Sequence, residues 1–353
     1  MDGRTSTSTT SSPPPPFQLL HTLTPHKGPV HAARLNSLGR YLLTAGADRQ
    51  VHLFNASSST TPSIIKSYSA HSGAVLTLSI ASDSSTFVSG GEDRNVLQWD
   101  VASGSVVRRF SAHTGAVQVA SFCGAQGSPN DVLLTAGFDG VLRFYDMRAR
   151  GAWKPIMECK DAKDTILTAT AKESCIWTGS VDGVVRTYDL RAGQLQEDTV
   201  DREYHCFPQE GPHSEINVLF PIPGPVASIT PTITSTSLLI SMLARQGEKK
   251  ATHAVLDLSD GSNLQSIEGG PNNQYRCPSI LHSGDSCIVA GDEDGRVKMW
   301  DILSGKERPF TRPGAATMEH AKAVLSLEAT DKEGGKVVSA AADGSVRIWA
   351  PLS

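Results

Sequence analysis

The chain has 353 residues, with 32 basic and 36 acidic side chains, a formal net charge of −4 at pH 7 and a pI near 6.3. That balance excludes a protein that grips nucleic acid through wholesale phosphate neutralisation, which would show a strongly basic domain. Apolar residues make up 39%, enough for a large core, yet no run reaches the roughly 18 apolar residues of a membrane helix.

Residues 1–16 are rich in Ser, Thr and Pro and are expected to form a disordered tail. Phe17-Gln18-Leu19-Leu20-His21-Thr22-Leu23 reads as a strand with no partner before it. A unit then recurs: a small-residue step, an Asp in a turn, and a β run ending in an aromatic. Thr44 to Asp48 leads to Phe54, Ser89 to Asp93 leads to Trp99, Thr135 to Asp139 leads to Tyr145, and Thr178 to Asp182 leads to Tyr188. These aromatics are 45, 46 and 43 residues apart. Residues 199–224, punctuated by proline, are expected to be a long loop before a degenerate fifth unit, in which Leu238 to Leu243 leads to Leu256. Ala290 to Asp294 then leads to Trp300, and Ser339 to Asp343 to Trp349, which completes seven units. His26, His71, His113 and His320 stand 28 to 32 residues before their aromatic. Asp-Gly at 139–140, 182–183, 294–295 and 343–344 marks tight turns between strands.

A period near 40–45 residues, with His at its start and Trp-Asp at its end, resembles the WD-repeat family. The resemblance implies an all-β fold, a seven-bladed β-propeller spanning residues 17–353. It also implies a hydrogen-bond network of His, Ser or Thr, turn Asp and Trp within a blade. The second unit keeps all four as His71, Ser89, Asp93 and Trp99, and the last as His320, Ser339, Asp343 and Trp349. The last unit ends at its third strand, so Phe17 to Leu23 is expected to supply the fourth and close the ring, which removes an open edge. The fifth unit keeps almost none of the network and is expected to be the softest.

Trp99 to Arg108, Gly179 to Leu195 and Asn273-Gln274-Tyr275 resemble, more narrowly, the mitogen-activated protein kinase organiser family of WD-repeat scaffolds. The likeness fails over 199–253. It implies a non-catalytic scaffold of cytoplasm and nucleus, monomeric within larger complexes. Its partners would be proteins: components of the extracellular-signal-regulated kinase cascade, splicing factors of the spliceosome, or both. High effective concentration would then be the mechanism.

The residues themselves offer little chemistry. His, Ser and Asp recur at the same offsets in several units, whereas a catalytic triad occurs once and needs an oxyanion hole. No catalytic residue, cofactor or small-molecule substrate is expected. The six cysteines contain no CxxC pair, and Asp292-Glu293-Asp294-Gly295 lacks a calcium loop's spacing, so Asp294 reads as a turn Asp and no metal site is expected. Arg143, Arg186, Lys298 and Arg347 stand two residues before an aromatic and read as stems packed between blades, not as a nucleic-acid stripe.

The residue before each turn Asp should lie on one rim. Phe138 is the candidate protein-binding hot spot there, with Glu92, Val181 and Glu293 at equivalent positions. Arg49 and Arg94 replace the turn Gly and flank it. An alternative rests on Tyr145-Asp146-Met147-Arg148 and Tyr188-Asp189-Leu190-Arg191. They resemble the paired WD-x-R box by which some propellers dock a cullin-RING ubiquitin ligase adaptor. Arg148 and Arg191 would carry that contact, and the chain would be a substrate receptor.

Overall fold

The structure is a computed structural model that describes residues 16–57, 60–124, 128–149, 151, 153–189, 217–221, 224–244, 250–312, 319–330, 332 and 335–352. The described residues form seven four-stranded antiparallel sheets and no helix. The sheets follow one another around a ring as the blades of a propeller. Their inner strands are Val30–Leu35, Val75–Ile80, Val117–Cys123, Ile166–Lys172, Val226–Pro231, Ser279–His282 and Val324–Ala329. All seven contribute to the wall of a central channel of about 490 Å³.

The second strand of each blade is the most deeply buried. Ser237–Met242 is buried at every position, and Thr86–Gly91 at every position but the first. Such strands lie between neighbours on both faces, so their apolar residues run on without alternation. The core is accordingly a set of inter-blade layers. Leu42 and Phe54 of blade one pack on Val338, Val346 and Ile348 of blade seven. Leu43, Val51 and Tyr68 of blade one pack on Leu78, Phe87 and Trp99 of blade two. Basic side chains tie adjacent blades by donating to turn carbonyls. Lys66 reaches Ala102 at 2.5 Å, Arg108 reaches Met147 at 3.1 Å, and Lys336 reaches Ala56 at 3.2 Å.

Phe17–Leu23 closes the ring as expected. It pairs antiparallel with Val346–Pro351, Phe17 opposite Pro351 and Leu23 opposite Val346. Phe17 is 1% exposed and stacks on Phe310 at 4.8 Å, which itself lies edge-on to Trp349. Its N–H donates to the Phe310 carbonyl at 2.7 Å.

The expected loop over 199–224 needs correction in part. Asn217–Pro221 is a strand, the outermost of blade four, paired with Val184–Asp189. Prolines at 221, 223 and 225, following a short apolar run, read as loop punctuation, but an outermost strand has a free edge and tolerates proline. Residues 1–15 and 190–216, which include the expected tail and most of that loop, lie outside the described residues.

One irregularity repeats around the ring. In six blades the inner strand carries a β-bulge at its second residue: His31, Leu76, Gln118, Leu167, Ala227 and Leu325. In blade six, Pro278 directly precedes the inner strand. A bulge re-aims one side chain without ending the ladder, and all seven residues line the channel.

Candidate protein-binding face

In blade two, His71 Nδ1 lies 2.9 Å from Asp93 and its Nε2 lies 2.7 Å from Ser89 Oγ, which also accepts the Trp99 indole N–H at 2.8 Å. A carboxylate can only accept, so Nδ1 carries the proton and Nε2 accepts from the Ser89 hydroxyl. Asp93 also accepts the Ser72 and Asn95 N–H groups. These bonds and His71 hold the Asp93 carboxyl below its usual range, against its burial. The entry loop, the turn and the third strand are thereby tied into one unit.

Other blades vary the lock. His26 bonds Asp48 and Thr44, with Phe54 in place of the indole. In blade three, His113 bonds Asp139 and Thr135, and Arg143 adds an ion pair to Asp139 at 2.7 Å. Blade four has no such histidine; Arg186 pairs with Asp182 at 2.7 Å, and the Ser180 hydroxyl and the Lys163 and Val184 N–H groups also donate to that carboxylate. In blade seven, His320 Nε2 and the Trp349 indole share Ser339, but Asp343 is reached through the Ser345 hydroxyl. The direct His320–Asp343 separation is 3.8 Å.

These trios cannot act as hydrolase triads. The hydroxyl-bearing residues Thr44, Ser89, Thr135 and Ser339 are fully buried, so no substrate carbonyl can approach them. His26, Asp48 and His52 bring three potential metal ligands together. Their described contacts are hydrogen bonds: His26 to Asp48 and Thr44, and His52 to Ser67 at 2.9 Å. Arg143 and Arg186 do not expose their heads as packed stems would; both are buried, with each guanidinium paired to the turn aspartate of its own blade.

The first residue of an inner strand pairs with the last of the second strand, just before the turn Asp. Turns, entry loops and bulges therefore share one face of the ring. The rim residues are held there by a common bond. Ala47, Glu92, Phe138, Val181 and Ala342 each donate their N–H to the carbonyl of the residue just before the inner strand of their own blade, at 2.8–3.0 Å, and Glu293 donates to Pro271, farther back in its entry loop, at 3.0 Å. Leu243 likewise bonds to the residue just before the inner strand of blade five, a match the sequence concealed because that blade has lost its turn Asp.

Phe138 is 54% exposed on this rigid backbone. Glu92, Arg49 and Arg94 are exposed on the two preceding blades, and Val181 is half-buried. Arg49 and Arg94 adopt φ of 67° and 64°, the left-handed conformation that Gly140, Gly183, Gly295 and Gly344 take elsewhere. At position 295 only glycine fits, because a Cβ would lie 2.1 Å from the His320 carbonyl oxygen.

One expectation for blade six is corrected. Glu293 does not present its carboxylate to the rim; Oε1 turns back to accept N–H groups from Asn273 at 2.6 Å and Tyr275 at 2.8 Å. Asp294 lies in the turn as expected, but it is exposed, whereas Asp292 is buried and accepts the Arg296 N–H at 2.8 Å. Of the paired boxes, Arg148 is exposed and its guanidinium is engaged by Asp146 at 2.9 Å. Arg191 lies outside the described residues.

The family described as "WD domain, G-beta repeat" matches residues 17–55, 62–100, 104–146, 262–301 and 315–350, more than half of the chain. Each match begins at or near an outermost strand and ends on the third strand of the next blade. WD repeat domain-containing protein 83 of Rattus norvegicus is 32% identical over 83% of this chain and 82% of its own length. A WD repeat domain-containing protein 83 homolog of Dictyostelium discoideum is 26% identical over 93% of this chain and 96% of its own. The U5 small nuclear ribonucleoprotein 40 kDa protein of the same organism is 28% identical over 36% of this chain and 34% of its own. The repeated locks, the closed seven-bladed ring and these matches together place the chain in the WD-repeat family.

Proposed function

We propose that this protein is a non-catalytic scaffold that holds other proteins together, acting in the cytoplasm and nucleus. The observation that carries this reading is the rim: a fixed backbone bond in every blade presents one side chain per blade, and blade three presents a half-exposed phenylalanine. A large apolar side chain on a rigid loop is a strong anchor for a protein partner, because little conformational freedom is lost on binding. The resemblance to the kinase-organiser family supports components of a mitogen-activated protein kinase cascade as partners. The relative named for the U5 small nuclear ribonucleoprotein supports a splicing assembly. Near-neutral charge favours contacts to proteins over RNA in either setting.

The test is affinity purification of wild-type protein and Phe138→Ala from nuclear and cytosolic fractions. Splicing factors in the nuclear eluate or kinases in the cytosolic one, lost from Phe138→Ala at unchanged thermal stability, are the expected result. Recovery of the same partners by both proteins would remove Phe138 from the site.

A further inference from the structure

The entry loop of blade six is built differently from those of blades one, two, three and seven. Where those loops are held by a histidine, this one is held by the Glu293 carboxylate, which accepts the consecutive N–H groups of Asn273, Gln274 and Tyr275. Asn272, 1% exposed, then fastens Cys277 by both backbone groups, at 3.3 and 3.4 Å. The loop thus leaves Tyr275 46% exposed and sends Arg276 into the mouth of the channel. There the guanidinium donates to the carbonyl of Leu167, the bulged residue of blade four. The side chain reaches past blade five, whose residue in the ring is Ala227, a small side chain that leaves it room.

Among the described residues no carboxylate pairs with Arg276. Arg34, deeper in the same channel, is 3.5 Å from Glu328 and so has its own counter-ion. Arg34 instead repels Arg276, and this with burial pushes the Arg276 guanidinium down to about 10. Arg276 is half-buried at this mouth, and a partly desolvated cation without a counter-ion is unfavourable to the fold that holds it. Nevertheless two side chains, Glu293 and Asn272, serve to keep it in place.

We propose that the channel mouth receives a carboxylate of a partner protein, with Arg276 as its counter-ion. The planar guanidinium fork matches a carboxylate in bidentate fashion. The surrounding ring of Leu76, Leu167 and Leu325 suits the apolar stem of an acidic residue, and Gln118 adds a hydrogen-bonding group. A dianionic phosphate would call for more cations than this mouth supplies. The channel volume of about 490 Å³ leaves room for a carboxylate-bearing side chain or a chain terminus to enter the mouth. The assignment rests on the scaffold reading and names the chemistry by which one partner is held.

The test is fluorescence anisotropy with three labelled peptides. One is a glutamate-leucine hexapeptide blocked at both ends, the second its glutamine counterpart, and the third a neutral hexapeptide with a free C-terminal carboxylate. At least one carboxylate-bearing peptide should bind at least ten-fold more tightly than the glutamine form, and which one does identifies a side-chain or a terminal carboxylate as the source. Arg276→Gln should lose at least ten-fold in affinity, Arg276→Lys should retain most of it, and neither should lower the thermal midpoint. Absence of binding by both carboxylate peptides, or equal binding by Arg276→Gln, would overturn the assignment. If partners are recovered alike by wild-type protein and Arg276→Gln while the peptides fail, the channel assignment falls and the scaffold reading stands. If the wild-type protein recovers no partner, the scaffold reading falls.

Discussion

Ser89 Oγ joins two elements of blade two: it donates to His71 and accepts from Trp99 within a fully buried site. Replacing it with alanine leaves His71 Nε2 and the Trp99 indole N–H without that partner. Each such loss costs roughly 1–3 kcal/mol, so Ser89→Ala should lower stability by about 2–6 kcal/mol in urea unfolding. Histidine burial sets a pH dependence. His253 and His320 are pushed down to about 4 by loss of solvent, while in the unfolded chain a histidine titrates near 6.5. Between those values the unfolded chain binds the extra protons. Stability is therefore full above pH 6.5 and falls as the pH drops toward 4, by up to ~1.4 kcal/mol per pH unit for each histidine. Urea midpoints at pH 7, 6 and 5 should show the fall, and His253→Gln should flatten it by about one proton. Arg49 and Arg94 carry backbone strain of roughly 1 kcal/mol each. Arg49→Gly and Arg94→Gly should each raise stability by up to about that amount. If both side chains contact a partner, the same changes should reduce its recovery.

The strand Phe17–Leu23 is the element on which the ring depends. Its partner Val346–Pro351 lies at the opposite end of the chain, and Phe17 fills a pocket made by Phe310, His282 and Trp349. Removing residues 1–15 should leave the melting temperature nearly unchanged, whereas removing 1–24 should lower it sharply. A stable monomeric 25–353 fragment would show that closure is dispensable. Phe17→Ala should cost about 3 kcal/mol by emptying that pocket. Elements of this kind were largely legible in the sequence, because each blade repeats its turn Asp and its buried runs at fixed spacing. Asn217–Pro221 was not. Outermost strands need only pair on one edge, so their composition is loosely constrained, and proline there looks like a loop.

Across the whole molecule, the strands of each blade pack mainly against those of its two neighbours, as in other repeat architectures, and the reach of Arg276 from blade six to Leu167 of blade four is an exception. A local lesion should therefore stay local. Ser89→Ala should speed amide exchange in blades one to three and leave blades five and six near wild-type rates, as hydrogen exchange read by mass spectrometry would show. The candidate binding face was legible at this scale only in outline. Phe138 stood out because a phenylalanine replaces a small or charged residue at a repeated position. Arg276 did not, because its loop lacks the family histidine and its placement depends on Glu293, twenty residues away in the chain from Asn273. The same distance hid the return of Glu293 from the rim.

The bulges around the channel have a further consequence. A bulged residue stands outside the regular cross-strand register, so exchanging it alters the aperture without altering the frame. His31, Leu76, Gln118, Leu167, Ala227 and Leu325 therefore form a six-place setting in which the selectivity of the opening can be rewritten one blade at a time. Recognition and foldability are assigned to different positions of the same strand. A protein built in this way can change what it admits while the ring that admits it stays as it was.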